Sequence, residues 1–172
     1  MFTKADIEKY FIAEKQESLL FIAIGALAII AALIAWITRQ PALYRGAAIP
    51  FLLIGLLLGV VGFTVYRRSD ADRMRNVYAY DLNPGELKAK EIPRMETVMK
   101  NFLVYRWTEI FLLAAGLVLY FMFMHSAANQ FWRGLGGGLA IMAFAALSAD
   151  FFAERRGAVY LEGLQQYTAK TS

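Results

Sequence analysis

A chain of 172 residues that is 59% hydrophobic, with a mean hydropathy of +0.45, carries more apolar surface than a soluble domain can use, so the membrane class leads. The absence of cysteine excludes disulfides, thiolate metal sites and thiol catalysis, and a single histidine, His125, cannot build a multi-histidine metal centre. The net charge of +4 is modest and no nucleic-acid partner is expected; the position of the basic residues beside apolar runs matters more than their sum.

The first segment, residues 1–17, reads as an amphipathic helix. Thr3 is placed as N-cap with Asp6 at N3, and Phe2 and Ile7 stand where a hydrophobic staple needs them. Ile7, Tyr10, Phe11 and Glu14 follow at helical spacing. The apolar run after it is too long for a signal h-region, so it is expected to stay as a span over about 18–38, with Trp36 at its far interface. A short loop carrying Arg39 and Arg45 leads to a second span, about 47–66, with Pro50 expected in its first turn. No breaker interrupts Arg67 to Leu82, so the second helix should continue beyond the membrane, with Met74, Val77, Tyr78, Asp81 and Leu82 at helical spacing with an apolar face. Asn83-Pro84-Gly85-Glu86 should end it, and Ile92-Pro93 should begin the next helix.

The third span, about 105–124, is the least clean, since only Ile110 to Met124 is free of charge. Residues 125–133 form a second short loop, in which His125 is read as an ordinary interfacial residue. The fourth span covers about 134–153. A helical tail over 154–172 follows, with Tyr160, Leu161, Leu164 and Tyr167 on one face. The expected fold is therefore an all-α membrane protein of four transmembrane helices, with helices 2, 3 and 4 extending into a helical layer over 67–104 and 154–172. Eight basic residues lie between Arg67 and Val104, against Arg39, Arg45 and Arg133 in the short loops. That bias puts the long connection and both termini in the cytoplasm, with the chain in a plasma (bacterial inner) membrane.

The two halves echo each other. Residues 7–27 align with 98–118 at an offset of 91, pairing Phe11 with Phe102 and Gly25 with Gly116. Ala71-Asp72-Arg73 aligns with Ala153-Glu154-Arg155 at an offset of 82. Two parallel-repeat hairpins about an axis along the membrane normal are expected from this. The repeat sets Arg67 and Arg68 level with Ala149 and Asp150. Together with Arg106 and Glu109, the residues Arg67, Arg68 and Asp150 make a candidate interhelical charge cluster, since carboxylates inside a membrane demand partners. Gly55, Gly59 and Gly62 on the second span, and Gly134 and Gly138 on the fourth, form small-residue stripes suited to close helix packing.

No nucleotide loop, metal spacing or nucleophile motif is present, and no cofactor is expected. In size, and in the residue types Arg73, Arg75, Asn76 and Tyr78, the chain resembles the small four-span glutathione-using membrane enzymes; the spacing differs, so their activity is not implied. The expectation is a non-enzymatic membrane protein that binds a protein partner in or at the bilayer. An immunity protein against a membrane-acting toxin and a regulatory subunit are two forms of it, and a homo-oligomer stays open. The alternatives are a small oligomeric transporter or channel subunit using Glu109 and Asp150, and then a lipid-modifying enzyme.

Overall fold

The computed structural model describes residues 2–38 and 41–171. Arg39 of the first short loop therefore lies outside the described residues. Four long helices carry the chain: α1 (Lys4–Ile37), α2 (Ala42–Leu82), α3 (Ile92–Phe123) and α4 (Gln130–Thr171). Each contains a stretch long and apolar enough to cross a membrane.

The start of α1 is fixed locally. The Asp6 carboxylate accepts hydrogen bonds from the Thr3 N–H at 2.8 Å and the Thr3 hydroxyl at 2.7 Å, and Ile7 is fully buried while Phe2 packs on the same core. The helix then runs unbroken for 34 residues, about 50 Å at 1.5 Å per residue, so the amphipathic lead-in and the first span are one element. Helix α1 thus extends beyond its span just as α2, α3 and α4 do.

The second helix begins at Ala42, one turn before the expected span. Pro50 is consequently an interior residue rather than a first-turn one, and it cannot donate to the Gly46 carbonyl. The site is one of tight packing. A Cβ on Gly46 would overlap the Phe131 carbonyl, one on Gly134 would overlap the Leu43 carbonyl, and one on Gly138 would sit 2.9 Å from both Ala47 Cα and Pro50 Cγ. Backbone contact between α2 and α4 at this end holds a bend-prone helix in place.

Between α2 and α3 the turn at Asn83 falls where expected. A short helical turn Pro84–Glu86 then leads into a π-helical turn Leu87–Glu91, in which the Ile92 N–H reaches the Leu87 carbonyl five residues back. Pro93 lacks the N–H that would bond Ala89, and its ring crowds that carbonyl, so a widened turn just before it relieves the conflict. Leu87 and Glu91, at the two ends of this turn, are both buried in the interior.

The well-packed core lies at the charged end, away from the apolar stretches. Ile7, Tyr10 and Phe11 of α1, Ala79 of α2, Leu87 of the π turn, Met95 of α3 and Tyr160 and Leu164 of α4 form one cluster. Two stacked tyrosine pairs brace it, Tyr10 on Tyr160 with centroids 4.0 Å apart and Tyr80 on Tyr167 at 4.4 Å. In the apolar stretches the pairing is α1 on α2, α2 on α4 and α4 on α3, which places α2 and α4 centrally. Large side chains such as Leu57, Phe63, Phe111 and Phe144 face outward there, as lipid-facing positions do.

Candidate functional site

The charged end contains a buried polar network that the four helices build together. Glu91 is its centre, at 2% exposure. Arg94 grips it in a forked pair, Nε to Oε2 at 2.9 Å and Nη2 to Oε1 at 2.6 Å. The Tyr160 hydroxyl donates to Glu91 Oε1 at 3.3 Å, and Arg75 Nη2 stands 3.9 Å from Oε2 while holding Asp72 at 3.0 Å. The Arg94 guanidinium also lies over the Phe11 ring, 5.7 Å from its centroid. Burial works against the Arg94 charge, yet the bond to Glu91 outweighs it and holds the guanidinium above its ordinary range. Burial, reinforced by Glu91, likewise pushes the Tyr160 hydroxyl far up.

A second acid enters from α1. Glu14 is half-way along the charged layer, with Arg68 Nη2 at 3.4 Å and the Ser69 hydroxyl at 3.3 Å. Burial raises its pKa, and the Arg68 and Arg94 charges only partly offset this. Lys15 pairs with Asp70, Lys4 with Asp81 at 2.6 Å, and Arg156 with Glu17, so α1 is tied to both α2 and α4 by charge.

These contacts redistribute the expected charge cluster. Arg68 turns to Glu14, Arg106 pairs with Glu154 at 3.3 Å, and Arg67 lies with Phe63, Thr64 and Arg68 along a shallow surface groove. Glu109 and Asp150 face each other across α3 and α4, and Glu109 Oε2 is buried with no hydrogen-bond partner. The glycine stripes also divide. Gly55 and Gly62 pack on α1, against the Gly25 and Ser18 carbonyls, and Gly134 and Gly138 pack on α2, whereas a Cβ on Gly59 would meet nothing within 4 Å.

The extension of α2 divides its apolar residues. Its buried residues are Ser69, Asp72, Asn76 and Ala79, Val77 and Tyr80 pack partly buried against the core, and Met74, Tyr78 and Leu82 point outward at 62%, 62% and 68% exposure. The reason is the network itself. An interior containing Glu14, Glu91 and Arg94 is satisfied by hydroxyl, amide and carboxylate groups, so Ser69, Asp72 and Asn76 turn in beside Ala79, with Val77 and Tyr80 at the margin, and Met74, Tyr78 and Leu82 are left outside.

Sequence reasoning missed Glu91, Arg94, Glu14 and Arg156 as a unit. One signal was present: Leu87, Glu91 and Met95 recur every fourth residue, which puts a carboxylate inside an apolar stripe. Among the described residues no group of three or more His, Asp or Glu side chains is arranged to hold a metal. Glu91 is already saturated by Arg94 and Tyr160, which suits a structural lock better than a reacting group. Two grooves open beside these layers: one of about 510 Å³ between α1 and α4 against the Tyr10–Tyr160 stack, and one of about 490 Å³ between α3 and α4 beside Asp150. No family model, curated protein or solved structure matches the chain.

Proposed function

We propose that this chain is a non-enzymatic integral membrane protein that acts by binding a protein partner through the water-side extension of α2. The observation that carries the reading is the outward row Met74, Tyr78 and Leu82, spaced i, i+4 and i+8 on a helix that has left its apolar stretch. Large apolar side chains in such a row are the anchors a partner helix uses, and an apolar strip this long on a water-facing surface marks an interaction site. Arg67 stands two turns ahead of Met74 on the same side of the helix, so the fitting partner is an amphipathic helix with apolar anchors and an acidic residue at one end. An immunity protein or a regulatory subunit would work in this way.

The orientation belongs to the same proposal. The basic excess over 67–104 sets the charged layer and both termini in the cytoplasm of a bacterial inner membrane. The two hairpins are read as copies of one unit about an axis along the membrane normal. In support, α2 and α4 lie centrally, and Gly25 and Gly116, equivalent at the offset of 91, each press on a glycine of the next helix, Gly55 and Gly136.

The test is a photoreactive residue placed at Tyr78 in native membranes, with Glu162, exposed on α4, as the control position. A discrete product from position 78 alone, lost in Met74→Asp/Leu82→Asp, supports the reading. A product of twice the chain mass assigns the row to a second copy. Equal, diffuse labelling from both positions overturns it. A second reading, a small oligomeric transporter, is favoured by one observation, the facing carboxyls of Glu109 and Asp150 with an unpartnered oxygen. If Glu109→Gln and Asp150→Asn leave solute flux and proton leak in proteoliposomes unchanged, that reading falls.

A further inference from the structure

The groove between α1 and α4 is unlike the rest of the charged layer. Its floor is apolar and aromatic: Phe2, Tyr10, Phe152, Val159 and Tyr160. Its rim holds three cations, Lys9, Arg155 and Arg156, against one carboxylate, Asp6, which already accepts two hydrogen bonds from Thr3. Those bonds, rather than a cation on the rim, are the main reason the Asp6 pKa is lowered. Arg156 gives one arm to Glu17, and its Nε is buried without a hydrogen-bond partner.

The level of the groove identifies what it meets. The fourth span ends near residue 153, so Arg155 and Arg156 stand about 3–5 Å beyond it, at 1.5 Å per residue. That is the headgroup layer, which adds about 5–8 Å to each side of the hydrocarbon core. Phe152 and Val159 are both highly exposed along the groove, and Phe152 carries its apolar lining up to the lipid-facing surface of α4. A ligand seated at the membrane end of this groove has an anionic head between the two arginines and an apolar tail running past Phe152 toward the bilayer.

We propose that the α1–α4 groove binds an acidic phospholipid, with its phosphate held between Arg155 and Arg156, Lys9 on the water side and an acyl chain along Phe152. Such a ligand would bridge α1 and α4 beside the Tyr10–Tyr160 stack and the Arg156–Glu17 pair that already join them. The site is separate from the outward face of α2 and does not depend on the partner proposed above.

The purified full chain is reconstituted in vesicles of phosphatidylcholine with a minor share of phosphatidylglycerol, and the lipid retained after detergent extraction is measured by native mass spectrometry. The wild type should retain the acidic lipid preferentially. Lys9→Gln/Arg155→Gln should lose about thirtyfold in that preference, the equivalent of about 2 kcal/mol at about 1 per basic side chain near an anionic surface. Lys100→Gln/Lys170→Gln removes the same charge from exposed positions outside the groove and should leave the preference intact. Equal losses in the two double variants, or no preference in the wild type, overturn the proposal. Soluble glycerol phosphate should not displace the lipid; if it does, the groove recognises a free anion and the lipid assignment fails. Should the groove variant not fold, an acidic lipid with a photoreactive acyl chain decides the matter on the wild type. Labelling concentrated on residues 152–160 supports the site, and labelling spread evenly over the four spans removes it.

Discussion

Glu91 shows how a single residue can hold three helices in one arrangement. Its carboxylate, on the π turn, is bonded by Arg94 of α3 and Tyr160 of α4 and approached by Arg75 of α2. Removing the acid leaves a largely buried guanidinium without its counter-charge, which costs about 3–5 kcal/mol, whereas replacing both members with apolar groups of similar size is close to neutral. Glu91→Gln should therefore lower the melting temperature in detergent far more than Glu91→Leu/Arg94→Leu does. Equal losses in the two would show that the pair is not the lock. Glu14 makes a prediction about pH. Its folded pKa is raised above the ordinary 4.5 by burial, so the native state binds more protons than the unfolded state just above that value. Stability from this group is then present below 4.5 and declines as pH rises through the raised value. Asp6, Asp70 and Glu86 act in the opposite sense, since their lowered values remove stability only as pH falls below their ordinary range. Melting curves above pH 4.5 should accordingly show a downward slope that Glu14→Gln flattens. An unchanged slope in that variant would mean that Glu14 is hydrated.

At the scale of the helix, the extents of the elements were legible and the inward faces only partly so. The cap at Thr3, the break at Asn83 and the buried face of α4 through Tyr160 and Leu164 each follow from a short local pattern. The inward face of α2 did not, because an apolar stripe alone does not say whether the interior it meets is apolar. Here the partners of that helix carry Glu14, Glu91 and Arg94, which no pattern within residues 67–82 could announce. The glycines repeat the lesson. All five in the stripes look alike in sequence, yet their surroundings differ. Gly134→Ala drives a methyl into the Leu43 carbonyl and must separate α2 from α4, so a loss of about 1–3 kcal/mol is expected, as for overpacking elsewhere. Gly59→Ala meets open space and should be neutral or stabilising by up to about 1 kcal/mol through helix propensity. Thermal denaturation of the two variants in one detergent checks both. A loss at Gly59 matching that at Gly134 would show a contact at position 59, such as a second copy of the chain.

For the whole molecule, the proposed orientation rests on the arrangement of charge, and the fold restricts which measurements can test it. All four helices pass from an apolar stretch to one shared charged end, so the proposed topology, with each of the four crossing once, puts the region around Glu86 and the C-terminal tail on one side of the bilayer and the loops before Tyr44 and near Asn129 on the other. That relation follows from helix order alone. Which side is the cytoplasm rests on the basic excess of the 67–104 connection over the short loops. The ion pairs of that layer complicate the argument: Arg68, Arg75 and Arg94 are each matched by an acid, and a paired charge hinders translocation less visibly than a free one. The pairs form only after folding, however, and orientation is set while the chain is inserted, when every lysine and arginine counts. Reporter fusions at Tyr44 and Asn129 should therefore read as external and a fusion at Glu86 as internal. Neutralising Arg67, Arg68, Arg73 and Arg75 together should populate the inverted topology, whereas neutralising their acidic partners should not. A variant in which Lys88, Lys90, Arg94 and Lys100 are neutralised as well and which keeps full internal activity at Glu86 would remove the basic stretch as the determinant, leaving the relative order of the four helices untouched.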